Sequence, residues 1–256
     1  MSYPLQIDPI ATFETNYVWA INDGRHCVLV DPGSAAEPLR YLAEHQLTLT
    51  ALLLTHHHHD HIGGVDEILA RHPVPVYGPG DSRMPAVTHV VHEGDQVKLD
   101  TPKLQLDVLE TPGHTTSHIV FHNQDILLAG DTLFSVGCGR LFEGTAEQMQ
   151  GSMDKLAALP DHTLLYCAHE YTQSNIAFAR QVEPDNEALK RRAQQVDQLR
   201  EAGEITLPVA LSEERATNPF LRTREPSVIR AARHREPGTA STPAAVFGVI
   251  RRWKDG

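Results

Sequence analysis

The sequence predicts an α/β protein in two parts, a β-rich domain over residues 1–172 and a smaller α-helical domain over 173–256. Two observations predict it. Over the first two-thirds of the chain, short apolar runs of strand type alternate with turn residues, and most runs are followed by Gly, Pro, Asp or His, as strands ending in turns and sites are. Past about residue 172 these runs fade and apolar residues recur at helical spacing instead. With 256 residues, 41% of them hydrophobic, the chain has material for a sizeable core.

Taken in order, the expected strands are Val18 to Ile21, Cys27 to Val30, Leu52 to Leu54, Val74 to Tyr77, Leu104 to Leu109, Ile119 to Phe121, Ile126 to Ala129 and Leu164 to Cys167. A helix is expected where Val65, Ile68 and Leu69 fall on one face. Another opens at Thr145-Ala146-Glu147-Gln148, a capping box, and carries Met149, Met153 and Leu156 on one side. Pro184 begins a segment with Leu189, Ala193, Val196 and Leu199 on one stripe that ends at Gly203; proline at the start and glycine just past the end suit a helix. Thr206 to Asn218 reads as a polar, proline-bearing linker, and two further helical patterns run through Val228-Ile229 and Val246-Phe247-Ile250.

Composition excludes several classes. No run approaches the roughly 18 apolar residues of a membrane span. Met1 to Gln6 carry neither a basic segment nor an apolar core, so no export is expected. Cys27, Cys138 and Cys167 lie far apart and form no C-x-x-C pair, so free core thiols in a reducing cytoplasm are expected. A formal charge of −11 argues against a general nucleic-acid binder. The charge is uneven: between Arg215 and Lys254, nine Lys and Arg stand against two Glu, a net of +7 that leaves −18 for the remainder. Such a basic tail suits either a solvated helical face or a hold on an anionic substrate near the metal site.

The chemistry concentrates in Thr55-His56-His57-His58-His59-Asp60-His61-Ile62-Gly63-Gly64, which follows the apolar run Ala51 to Leu54. In an extended stretch residues two apart point the same way, so His56 and His58 can face one metal ion while Asp60 and His61, past the bend, face a neighbouring point. Imidazole and carboxylate are ligands for zinc and similar divalent ions. Three more strand ends supply the same ligand types: His114 after Thr111-Pro112-Gly113, Asp131 after Leu127 to Gly130, and His169 after Leu164 to Ala168. One grouping places His56, His58 and His114 on a first metal and Asp60, His61 and His169 on a second, with Asp131 bridging and a water or hydroxide between them, as two-metal hydrolysis needs. His57, His59 and His118 are left for supporting or surface roles. Without a thiolate the ligand set suits zinc, and iron or manganese as well.

The T-H-x-H-x-D-H run, with T-P-G-H-T at 111–115, G-D-T at 130–132 and C-A-H-E-Y at 167–171, resembles the metallo-β-lactamase superfamily. Within it the chain resembles the glyoxalase II (hydroxyacylglutathione hydrolase) family, on Gly137-Cys138-Gly139-Arg140-Leu141-Phe142-Glu143-Gly144-Thr145, His169-Glu170-Tyr171-Thr172 and Asn218-Pro219-Phe220-Leu221-Arg222. The resemblance implies an αββα sandwich with a helical C-terminal domain, two divalent metal ions, and hydrolysis of S-D-lactoylglutathione to glutathione and D-lactate, the second step of methylglyoxal detoxification. It also implies glutathione contacts from Arg140, Tyr171, Arg251 and Lys254. Relatives often carry Lys at position 140 and Tyr at position 142, where this chain has Arg and Phe. Asp60 and Asp131 are the expected catalytic carboxylates, and a cytoplasmic monomer acting on a small molecule is expected. Of the rivals in the same superfamily, a persulfide dioxygenase would hold one iron and would not need Asp60 and His61, and a nuclease fits the acidic body poorly.

Overall fold

The structure is a computed structural model that describes residues 5–256. Met1 to Pro4, part of the start read above as carrying no export signal, lie outside the described residues. Two compact units emerge: the first runs to Glu110 and includes Ser117–Asn123 and Leu128–Gly130, the second takes Thr111–Thr116, Gln124–Leu127 and Asp131–Gly256.

The first unit is built on a six-stranded sheet in which β1 (Gln6–Thr12), β2 (Asn16–Asn22), β3 (His26–Val30), β4 (Thr48–Leu53), β5 (Val76–Gly78) and β6 (His89–Val90) lie side by side in sequence order. The first two pairings are antiparallel and the last three parallel. Strands covered on both faces read as unbroken apolar runs, which is why β3 and β4 were visible as Cys27-Val28-Leu29-Val30 and Leu52-Leu53. Helix α1 (Ala36–Glu44) returns the chain from β3 to β4, and α2 (His59–Ile62) and α3 (Val65–Arg71) follow β4. Leu42, Val65 and Ile68 of these helices share one core with Val18, Leu29, Leu52 and Leu54. β7 (Gln96–Asp100), β8 (Lys103–Glu110) and β9 (Ile119–His122) form an antiparallel meander, and β8 alternates buried Leu104, Leu106 and Val108 with more exposed positions, the pattern of a sheet with one wet face. β10 (Ile126–Gly130) is buried throughout.

In the second unit β11 (Leu133–Phe134) and β12 (Gly137–Cys138) make a short hairpin. Helix α4 (Ala146–Ala157) begins at the Thr145 capping box, with both reciprocal hydrogen bonds formed. β13 (Leu164–Cys167) is followed by α5 (Thr172–Val182) and α6 (Glu187–Glu201). α6 starts later than proline placement suggests: Asn186 is its cap and accepts from the Leu189 amide at 3.1 Å, while Pro184 stands outside. The stretch 206–218 is not a linker. It holds β14 (Val209–Ala210), paired with β13, and α7 (Leu211–Thr217); an element of two residues and one of two turns are too short to show a period. α8 (Pro226–Arg235) and α9 (Pro243–Asp255) complete the unit, each with Pro at its start. All three cysteines are free and buried. Among the described residues no helix is long and apolar enough to cross a membrane.

Candidate metal centre and substrate pocket

The first unit supplies four of the expected ligands from the end of β4 and from α2. Past Leu53 the chain leaves the sheet and reaches His58 in an extended conformation, and His56 Nε2 lies 3.0 Å from His58 Nδ1. His56 is fully buried, with the His118 ring stacked on it at 4.7 Å. His57 turns elsewhere, 3.8 Å from Asp81, and His59 is exposed on α2. One turn of α2 then brings Asp60 and His61 together, His61 Nε2 lying 3.6 Å from Asp60 Oδ2.

Hydrogen bonds behind these rings fix which nitrogen faces inward. Asp31, at φ +50 after β3, accepts from the Thr55 amide at 2.8 Å and from the Thr55 hydroxyl at 2.7 Å. The hydroxyl has spent its one proton, so it accepts from His56 Nδ1 at 3.1 Å, and His56 Nε2 carries the lone pair. Asp31 also accepts from His61 Nδ1 at 3.0 Å, which leaves His61 Nε2 as a lone-pair donor to a metal. Asp31, His56 and His61 each offer a ligand atom within 4.8 Å of the others. Asn16, at the start of β2, donates to Asp60 Oδ2 at 3.0 Å. Neither Asp31 nor Asn16 was singled out in the sequence for these roles. The signal available was a strand followed by Asp-Pro-Gly: a Cβ at Gly33 would lie 1.8 Å from the Asp60 carbonyl oxygen, so only glycine lets this turn pass beneath the ligand loop.

The second unit supplies the other three. Asp131 follows β10, His114 follows the Pro112-Gly113 turn, and His169 follows β13; all three are almost fully buried. His114 Nε2 stands 3.4 Å from Asp131 Oδ2, and His169 Nε2 stands 3.3 Å from Asp131 Oδ1. One carboxylate thus presents each oxygen to a different imidazole. His114 Nδ1 donates to the Arg140 carbonyl at 2.8 Å, so a neutral His114 turns a lone pair toward a carboxylate oxygen. Two acceptors facing at that distance repel unless a cation lies against both. The donor set therefore fits divalent metal ions. Gly139 makes the approach possible, since a Cβ there would meet the Asp131 carbonyl oxygen at 1.9 Å and His114 Nδ1 at 3.0 Å.

Beside Asp131 the same unit holds a cavity of about 340 Å³ lined by His114, Phe142, Tyr171, Arg140, Arg251 and Lys254, among others. Aromatic rings cover the ligands: Tyr171 is stacked on His169 at 4.6 Å, and Phe142 meets His114 edge-on at 5.3 Å. Arg251 is buried, donates to the Cys138 carbonyl at 2.9 Å and reaches Asp255 at 2.9 Å. Lys254 donates to Asn175. Burial lowers its pKa to about 8, with Arg251 acting in the same direction and Cys138 and Asp255 opposing.

The loop that carries this pocket is anchored from α7. Val136 sits at φ +56, which a β-branched residue adopts only when held there. Glu214, fully buried, accepts from the Ser135 hydroxyl and the Val136 amide at 2.8 Å and from Asn218 at 3.0 Å. Asn218 in turn donates to the carbonyls of Phe134 and Gly137.

Fold and donor set together define a metal-dependent hydrolase of the metallo-β-lactamase fold, and comparison with known proteins agrees. Residues 11–169 match the metallo-β-lactamase superfamily model, and residues 170–256 match that of the hydroxyacylglutathione hydrolase C-terminus. The chain is 50% identical to the hydroxyacylglutathione hydrolase of Cupriavidus metallidurans, covering 98% of this chain and 99% of the relative. It is 51% identical to that of Aliivibrio salmonicida at the same coverage. Among solved structures, ETHE1 from Myxococcus xanthus is similar at a TM-score of 0.63 and 28% identity over 88% of this chain and 86% of that one. The chain belongs to the hydroxyacylglutathione hydrolase family of the metallo-β-lactamase superfamily. That membership and the histidine and aspartate groups imply divalent metal ions.

Proposed function

We propose that this chain hydrolyses S-(2-hydroxyacyl)glutathione thioesters, S-D-lactoylglutathione first among them, to glutathione and a hydroxy acid, the second step of methylglyoxal detoxification. The observation that carries the reading is Asp131, whose two oxygens face two buried histidines beside a cavity holding three cationic side chains. His56, His58 and His114 would hold one divalent ion, Asp60, His61 and His169 a second, and Asp131 both; zinc is the first choice, with iron or manganese compatible. When bound, such ions supply a nucleophilic water at neutral pH and polarise the thioester carbonyl.

The chain's own residues do the rest. Residues 1–172 carry the chemistry, and 173–256 form the substrate-binding domain, contributing Arg251 and Lys254 beside Arg140 and Tyr171. Asp60, steadied by Asn16, orients the attacking water through a carboxylate oxygen. Arg140, Arg251 and Lys254 provide positive charge for the glutathione carboxylates, Tyr171 packs against the peptide, and Phe142 and Phe134 keep bulk water off the histidines. Water adds to the carbonyl carbon and the carbon–sulfur bond breaks; a thiolate leaves readily, so no strong general acid is required. Metal analysis and S-D-lactoylglutathione turnover on one purified sample test the reading. Two divalent ions per chain with turnover are expected. A single iron with oxygen uptake and no thioester hydrolysis would overturn it.

A further inference from the structure

Two of the pocket's cations share an acid. Asp255, on the last turn of α9, places Oδ1 3.0 Å from Arg140 Nε and 2.9 Å from Arg251 Nη2. Arg251 is its neighbour one helical turn back, a pairing that helix geometry supplies locally. Arg140 comes from the loop after β12, more than a hundred residues earlier. Both guanidinia line the cavity. Arg251 is buried, whereas Arg140 is 58% and Asp255 31% exposed at the side chain, so the Arg140–Asp255 pair lies where water competes and contributes little net stability. A guanidinium takes a carboxylate most strongly through two parallel N–H groups, and Asp255 already stands at ion-pair distance from the Nε edge of Arg140.

We infer that Asp255 is a specificity-determining residue of this pocket: an internal carboxylate that competes with the ligand's carboxylate for Arg140 and holds affinity for anionic ligands down. This rests on the glutathione reading above. Its consequence falls mainly on the product, which keeps its carboxylates after the acyl group has gone and must leave before the next turnover. The competition also selects: a ligand must present a carboxylate that makes better geometry on Arg140 than Asp255 does, so a singly placed or distant negative charge gains little.

The test uses the full-length, metal-loaded enzyme with glutathione as the probe, measured by calorimetry, and S-D-lactoylglutathione turnover alongside. Asp255→Asn should bind glutathione roughly two- to fivefold more tightly, the range of a partly exposed charge pair, and KM should fall by a similar factor while kcat moves less. Asp255→Glu should return both toward the parent values. In an Arg140→Ala background the Asp255→Asn effect should largely disappear, because the contested guanidinium is gone. Unchanged or weaker glutathione binding in Asp255→Asn, with the parent still turning over S-D-lactoylglutathione, overturns the competition and leaves the substrate reading standing. A parent that neither binds glutathione nor cleaves its thioester overturns both.

Discussion

At the scale of single residues, His56, His61 and His114 have their outer nitrogens engaged so that their inner nitrogens present lone pairs. Asp31 does this for His61 directly and for His56 through Thr55. Removing its charge in Asp31→Asn should lower metal affinity about 10- to 100-fold, the usual cost of losing such a supporting group, measured by competition with a chelator. Asp131→Ala should cost more than that in both metal content and turnover, because one side chain faces two histidines. A variant that kept two ions and near-parent turnover would refute a bridging role. The four consecutive histidines offer an internal control. His56→Ala and His58→Ala should lose metal, whereas His57→Ala and His59→Ala should keep it, since His57 lies near Asp81 and His59 is exposed. Equal loss in all four would mean the facing is wrong.

At the scale of elements, what was legible in the sequence depended on how local the stabilising interactions are. The Thr145 box announces α4 because cap and partner sit three residues apart, and β3 and β4 announce themselves through unbroken burial. The candidate ligands stand out in the sequence because they follow strand-type runs. α7 could not be seen. Its seven residues gain their place from Glu214 meeting Ser135 and Val136, 78 or more positions away, and no sequence period encodes that. Asp31 stands in a strand-end Asp-Pro-Gly turn, but nothing local marks it as the partner of His61, 30 positions on. The hidden element has a testable function in holding the pocket loop. Glu214→Ala would leave two buried donors at Ser135 and Val136 without their acceptor, each costing about 1–3 kcal/mol. It should lower Tm, and should raise KM for S-D-lactoylglutathione by more than it lowers metal content. A loss of stability with KM unchanged would show that the loop holds its strained Val136 without α7.

At the scale of the whole molecule, an acidic body carries a basic C-terminal stretch, and the second unit's cavity gathers three of the chain's cations. Arg251 is tied to the Cys138 carbonyl and to Asp255, so replacing it would disturb the wall as well as the charge. Lys254 is the cleaner probe. Burial is the largest influence on its ammonium, and the pKa falls to about 8. Below that pH the side chain is charged and attracts an anionic thioester; above it the attraction is lost. KM should therefore rise as pH passes through about 8, roughly tenfold at full deprotonation, the order expected when a charge-assisted hydrogen bond is removed. Added salt should shrink the effect, because the Debye length at physiological ionic strength is only about 8 Å. Stability should move the opposite way. The unfolded chain holds this proton up to the ordinary 10.5 and the folded chain only to about 8, so between those values the unfolded state binds more protons and this lysine's contribution to stability increases with pH. Lys254→Met should remove both dependences, and Lys254→Arg should carry the low KM to higher pH. If Lys254→Met reproduces the parent's KM profile across pH 7 to 9.5, the ammonium takes no part in holding the substrate, and charge recognition rests on the two arginines.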